Sequence, residues 1–369
     1  MSEINAVGLD IGTMFLQSAR DDGKGGVLFN TVRDCFRELE YDAEFEDTLH
    51  TQGAHYIKAD GKLYVLGNDA YLQAGMAEFG ASLKPGQEIA EILKRPMKDG
   101  ILNPDSPKTA LVILRELMRA CIEKDVGHAR EGEIMYFSIP ANPVDSLINN
   151  TFHSKMAEQY LSSLGYDARA LGEGLAVIYS ENPKMHAPDG LIPFTGIGIS
   201  MGAGQCNFCL AERGIPMDEF SVARSGDWID ANAARMTGQP KTKVTRIKER
   251  QLDFNKIDQT SEVVMALECY YDELVNYVFG IFAKRFAGNK GSIDHPIDVV
   301  ISGGTASPPG FDRRVRALIE RMNLPFKVNE VRMAKDMMRA VAKGCYLRAK
   351  QAAKKATLAK EVIKPTSPS

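Results

Sequence analysis

The sequence predicts an α/β fold made of two related halves, and three observations carry that reading. Val7-Gly8-Leu9-Asp10-Ile11-Gly12-Thr13 and Ile197-Gly198-Ile199-Ser200-Met201-Gly202-Ala203 share one pattern: apolar, glycine, apolar, small polar, apolar, glycine, small. Each copy ends an apolar strand at a tight glycine turn with a second strand behind it, Phe15 to Ala19 and Cys206 to Leu210, so each half opens with a hairpin. Strand-like and helix-like runs then alternate along 369 residues, a length that suits two to three domains. Hydrophobic residues at 44% with 25% charged exclude whole-chain disorder, and a balance of 45 basic against 48 acidic residues excludes a global field attracting nucleic acid.

Taken in order, the first residues, MSEINAVGLD, show neither a basic region nor an apolar leader, and six scattered cysteines suit a reducing compartment, so a cytoplasmic location is expected. Acids at 38, 40, 42, 44 and 46 alternate with apolar or small residues and predict a strand with one wet face. Tyr56 to Val65, with Asp60-Gly61 at its centre, predicts a hairpin. Leu111, Leu114, Leu117 and Met118 are spaced for one buried helical face. Ile134 to Ile139 reads as a strand. Asn142-Pro143 then resembles a helix N-cap, followed by Val144, Leu147, Ile148, Phe152, Met156 and Leu164 on one side and a stop at Gly165.

In the second half, helices are expected around 226–237, 242–252 and 260–287. The strand Asp298 to Ser302 feeds Gly303-Gly304-Thr305, and a final helix is expected from about Ala334 to Lys355. Gly190 to Ala211 lacks charge but carries five glycines and a proline, so it predicts strands around a turn, not a membrane helix. The last residues, Lys364 to Ser369, are too polar and proline-rich to pack. Cys206 and Cys209 sit three apart on a strand and face opposite sides, which suits two core cysteines better than a metal pair.

The glycine turns suggest chemistry. Backbone N–H groups can approach an anion closely only where no side chain intervenes, so three glycine turns at strand ends make a phosphate clamp. Asp10, in the first turn, is placed to hold water on a magnesium ion that bridges phosphates.

With those residues in view, the chain resembles the actin-like ATPases, in particular the bacterial actins of the MreB and MamK type. Asp10-Ile11-Gly12-Thr13 resembles their first phosphate motif and Ser200-Met201-Gly202-Ala203-Gly204 stands where the second would be. Leu171-Gly172-Glu173-Gly174-Leu175-Ala176 is similar to the first connecting motif, Ile247-Lys248-Glu249 to the stretch bordering adenine, Ile301-Ser302-Gly303-Gly304-Thr305 to the adenosine motif, and Ala340 to Cys345 to the second connecting motif. Gly67 to Ala70 and Arg95 to Gly100 are similar to MreB-type segments.

The resemblance implies two RNase H-like lobes, each a mixed sheet flanked by helices, with ATP and Mg2+ in the cleft between them. Residues 1–180 with 334–355 would form one lobe, with a small inserted subdomain at about 33–95. Residues 181–333 would form the other, with a small subdomain at about 227–275, and 356–369 a disordered tail. It also implies site roles: Glu173 orienting the attacking water, Asp10 holding the metal through water, and Gly12, Thr13, Met14, Ser200, Gly202, Ala203, Gly204, Lys248, Glu249, Gly303, Gly304 and Thr305 contacting nucleotide. For Glu173 the alternative is a surface acid at a helix start, and for Lys248 and Glu249 solvated helix positions.

Three departures bear on hydrolysis. Ser200 stands where the family has Asp, Gln205 where it has Thr, and Met14, Phe15 and Leu16 are bulkier than the relatives' residues. Loss of a carboxylate contributing ~3 kcal/mol to the transition state would slow turnover by ~100-fold, so binding with slow hydrolysis is expected. The implied function is a cytoplasmic filament whose partner is itself, with adaptor proteins as further partners and without direct nucleic-acid or membrane binding. The polar stretch Lys124 to Gly132 stands where an apolar membrane loop would be expected. The alternatives are a non-polymerising nucleotide switch acting on a protein partner and, more distantly, a small-molecule kinase on the same fold.

Overall fold

The computed structural model describes residues 6–79, 92–123, 129–130, 132–181, 184–187, 190–286, 296–322 and 324–362. The chain opens with β1 (Ala6–Ile11), β2 (Phe15–Asp21) and β3 (Val27–Arg33), then β4 (Phe36–Glu40), α1 (Ala43–Thr51), β5 (Tyr56–Ala59), β6 (Lys62–Leu66) and α2 (Gly67–Phe79). It continues through β7 (Met97–Lys98), β8 (Ile101–Leu102), α3 (Pro107–Glu123), β9 (Ile134–Ile139), α4 (Thr151–Ser163), β10 (Asp167–Gly172) and α5 (Glu173–Glu181). Next come β11 (Lys184–Ala187), β12 (Gly190–Pro193), β13 (Gly196–Met201), β14 (Cys206–Glu212), β15 (Ile215–Val222), α6 (Gly226–Thr237), α7 (Lys241–Arg250) and α8 (Glu262–Phe286). β16 (Ile297–Ser302), a 3-10 turn (Gly304–Ala306), α9 (Phe311–Glu320), β17 (Val328–Met333) and α10 (Ala340–Val362) complete it.

The repeat visible in the sequence is a repeat of topology. One five-stranded sheet runs β10-β9-β1-β2-β3 and the other β15-β14-β13-β16-β17. In both, the opening three strands form an antiparallel meander and the last two add in parallel beside the first. The hairpin between β5 and β6 turns at Asp60 and Gly61 with φ of 50° and 73°, as its Asp-Gly step predicts.

Each sheet buries one face against its own helices. Val7, Leu9 and Ile11 pack with Ile113, Leu114 and Leu117 of α3, and Ile197 and Ile199 with Leu267, Leu274 and Phe282 of α8. Each such side chain contributes about 1.5–3 kcal/mol by leaving water. A third cluster lies between the sheets, where Ala176 and Ile178 of α5 meet Val341, Cys345 and Tyr346 of α10. That contact is backbone on backbone. A Cβ on Gly344 would lie 1.9 Å from the Ala176 carbonyl oxygen, and one on Gly8 2.2 Å from the Tyr346 nitrogen. Cys206 joins the α8-side core and Cys209 the core between sheets, so the two thiols are buried apart on opposite faces of β14.

Three expectations need correcting. The alternating acids do not form one strand: β4 stops at Glu40, and Asp42 caps α1 by accepting from the Phe45 N–H at 2.8 Å, with Glu44 and Glu46 in the favourable first turn. The helix expected from Asn142 begins at Thr151 instead. Asn142 accepts from the Asn150 N–H at 2.9 Å, and the Val144 N–H donates to the Ser221 carbonyl at 2.9 Å, so tertiary bonds hold this segment open and leave Leu147 fully exposed. The last helix starts at Ala340, not Ala334, and runs to Val362, past the expected tail boundary at 356. Residues 363–369, most of 124–132 and the first five residues lie outside the described residues. Among the described residues no helix is long and apolar enough to cross a membrane.

Candidate functional site

A cavity of about 320 Å³ opens where the ends of β1, β13 and β16 converge. Every residue singled out from the sequence lines it: Asp10, Gly12, Thr13 and Met14 from the β1–β2 turn, Glu173 from the start of α5, Ser200, Gly202, Ala203 and Gly204 from the β13–β14 turn, Lys248 and Glu249 from α7, and Gly303, Gly304 and Thr305 after β16.

At its floor two carboxylates approach each other. Asp10 is held by Ser138 of β9, whose hydroxyl donates to Asp10 Oδ1 at 2.8 Å while accepting from the Ile11 N–H at 2.9 Å. Glu173 is held by Ser200, whose hydroxyl donates to Glu173 Oε2 at 2.9 Å. Burial pushes both acids above the usual carboxylate range, and the nearby Asp10 charge pushes Glu173 further, against the lowering bond from Ser200. No cationic side chain offsets either of them among the described residues.

The second turn is knotted to its surroundings. The Gly202 carbonyl accepts from Ser225 Oγ at 2.5 Å, from Thr305 Oγ1 at 2.6 Å and from the Gly226 N–H at 3.2 Å. Gln205, which follows the turn, is 3% exposed and joins the two halves: its Nε2 donates to the Asp99 carbonyl at 2.7 Å and its Oε1 accepts from Ser221 Oγ at 2.8 Å. The single Ser221 hydroxyl hydrogen is shared with the Ala141 carbonyl, 2.7 Å from Oγ, and Asn207 Oδ1 accepts from the Ala141 N–H at 2.9 Å. At the rim, Arg95 Nη1 meets Asp227 Oδ2 at 2.9 Å, and Lys241 meets Asp227 Oδ1 at 3.0 Å.

Lys248 is not a solvated helix residue. It is 8% exposed and its ammonium lies 2.8 Å from Asp230 Oδ1 and 2.9 Å from Asp230 Oδ2, with Thr245 also donating to Asp230. Glu249 beside it is exposed. Gly303 adopts φ 101°, and its N–H donates to the Met337 carbonyl at 3.0 Å, which also accepts from Ser302 Oγ at 2.8 Å. Those bonds keep residues 334–339 out of α10.

The motif reading missed Gln17, Arg33, Asp227, Asp230, Met337 and Met338, all of which line the cavity. Two were findable by strand pairing, since Gln17 sits opposite Asp10 and Arg33 opposite Phe15. Gln17 is 3% exposed and its Oε1 has no hydrogen-bond partner. An orphaned acceptor beside two uncompensated carboxylates is a donor set suited to a hard divalent cation, which takes oxygen ligands. No group of three or more His, Cys, Asp and Glu side chains that could hold a metal gathers among the described residues, here included, so such a cation would need a bound anion and water to complete its ligands. The Gly12, Gly202 and Gly303 N–H groups close their own turns on the Phe15, Gln205 and Met337 carbonyls, so donors for such an anion would come from the other backbone N–H groups of these turns.

Residues 5–349 match the family model described as Volactin. No curated protein matches the sequence. Similar solved structures include the MamK double helical filament, at 13% identity over 94% of this chain and 98% of that one with a TM-score of 0.64. MreB 5 of Spiroplasma citri bound to AMPPNP is 13% identical over 97% of both chains, with a TM-score of 0.62. The ethanolamine utilization protein EutJ from Carboxydothermus hydrogenoformans is 13% identical over 92% and 88%, with a TM-score of 0.53. The shared architecture is the two-lobed actin-like ATPase fold.

Proposed function

Because the chain belongs to the Volactin family and has the actin-like fold, we propose that it is a cytoskeletal protein that binds ATP and Mg2+ in this cavity and polymerises into cytoplasmic filaments, hydrolysing ATP slowly. The observation that carries the reading is the meeting of Asp10 and Glu173, paired with no cationic side chain among the described residues, beneath glycine turns from both related halves. Similarity to a MamK filament and to an MreB 5 bound to AMPPNP supports self-assembly and nucleotide binding respectively.

In this reading Asp10, fixed in rotamer by Ser138, would hold the metal through water. The turns at Gly12 to Met14 and Gly202 to Gly204 cradle the phosphates, and the base lies between Lys248-Glu249 and Gly303-Gly304-Thr305. Bound Mg2+ supplies positive charge to the phosphates. Glu173 would orient the attacking water, and Ser200, spent on Glu173, would add no negative charge to the metal site, which supports slow turnover. The lobes divide as 1–180 with the last helix, and 181–333. Cytoplasmic adaptor proteins are further partners; direct nucleic-acid and membrane contacts are not part of the proposal.

Electron microscopy of the purified protein with and without Mg-ATP tests it. Filaments that depend on nucleotide are expected. Filaments in both conditions would uncouple assembly from the cavity, and monomers in both would overturn the filament reading in favour of a nucleotide switch acting on another protein.

A further inference from the structure

We infer that Arg33 binds the terminal phosphate of a nucleoside triphosphate, gripping it from the β3 side of the cavity; the inference rests on the nucleotide reading above. Arg33 ends β3 and pairs in register with Phe15, the residue that closes the first glycine turn. Its guanidinium carbon lies 3.8 Å from the centroid of the Tyr71 ring and 5.0 Å from that of Phe15. Stacking occupies the faces of the guanidinium plane and leaves the N–H donors, which lie in that plane, free at its edge. No carboxylate or carbonyl of the described residues takes those donors.

Charge accounting leads to the same residue. The cavity is lined by the acids Asp10, Glu173, Asp227, Asp230 and Glu249, and by two cations among the described residues, Arg33 and Lys248. Lys248 is neutralised by Asp230. Arg33 is therefore the lining cation with its charge uncommitted, and a guanidinium fork matches two phosphate oxygens. The bulk of Phe15, unexpected in a phosphate turn, has a purpose here: with Tyr71 it holds the guanidinium in place. Tyr71 belongs to α2, which packs beside the β4-β6-β5 sheet, so a phosphate held by Arg33 also ties that small unit to the turn.

Calorimetric titration of the full chain with Mg-AMPPNP and with Mg-ADP tests the assignment. Arg33→Gln is expected to weaken AMPPNP by roughly 10- to 100-fold and ADP by less than about 3-fold, because the lost interaction is a charge-assisted pair to the terminal phosphate alone. Arg33→Lys, which keeps the charge but not the fork, falls between. Tyr71→Ala, at an exposed position, moves the same ratio in the same direction and carries the test should Arg33→Gln fail to fold. Equal losses for both nucleotides, or no loss, overturn the role of Arg33. Wild-type protein that binds neither overturns the nucleotide reading itself, before Arg33 enters.

Discussion

The Ser200 hydroxyl donates to the Glu173 carboxylate at 2.9 Å across the floor of the cavity. A serine at the end of β13 thus steadies an acid at the start of α5, and on the nucleotide reading that position supplies no carboxylate of its own.

Ser200→Asp should restore that charge. Phosphate release in the presence of Mg-ATP is expected to rise by roughly 100-fold, the reverse of a ~3 kcal/mol loss of transition-state stabilisation. The same substitution should lower the melting temperature of the nucleotide-free protein, since it adds a third acid to a buried pair. Unchanged phosphate release would mean that Ser200 does not limit turnover.

Glu173→Gln keeps a side chain of the same shape while removing the charge. Binding of Mg-AMPPNP should survive and single-turnover hydrolysis should fall by about 100-fold or more. An intact single-turnover rate would return Glu173 to a purely structural role.

The raised acids make stability depend on pH. Asp10 and Glu173 have folded-state values above their unfolded ones, so their contribution is fully present below the ordinary carboxylate range and is lost as pH rises through the raised values. Melts of nucleotide-free protein between about pH 5 and pH 8 should show falling stability that Glu173→Gln flattens and Mg-nucleotide opposes. His153 works in the other direction. Fully buried, with Nδ1 accepting from the Leu102 N–H, it is pushed down to about 4 by burial. Stability from His153 is complete above about pH 6.5 and declines toward pH 4 by about 3 kcal/mol in total.

Lys248→Met would leave Asp230 buried without its counter-ion and should cost about 3–5 kcal/mol in denaturant unfolding. Lys248→Met with Asp230→Leu should recover most of that. If the single substitution is neutral, the ion pair is not what fills this part of the core.

Much of this molecule could be read from local pattern. The matched motifs at Asp10 and Ser200 announced two sheets of one topology, because a strand ending in a glycine turn leaves its mark within seven residues. The site residues named from those motifs share one cavity for the same reason: the turns lie at corresponding strand ends. Long-range bonds were invisible. Asn142-Pro143 has the chemistry of a helix start, but the Ser221 carbonyl, contributed by the other sheet, takes the Val144 N–H first. Gln17 and Arg33 carry no motif; only strand register brings them to Asp10 and Phe15. The alternation of acids from 38 to 46 served a strand and then a helix cap, and period alone does not separate the two.

The bonds joining the two halves around Gln205 are made by neutral groups, whereas those at the rim, Arg95 and Lys241 with Asp227, are ionic. Salt weakens the second kind in part, contact pairs at about 3 Å lying well inside the Debye length of about 8 Å at physiological salt, and leaves the first nearly untouched. Added salt therefore acts on the rim before it acts on the seam beneath, so a weakening at the mouth of the cavity need not part the lobes.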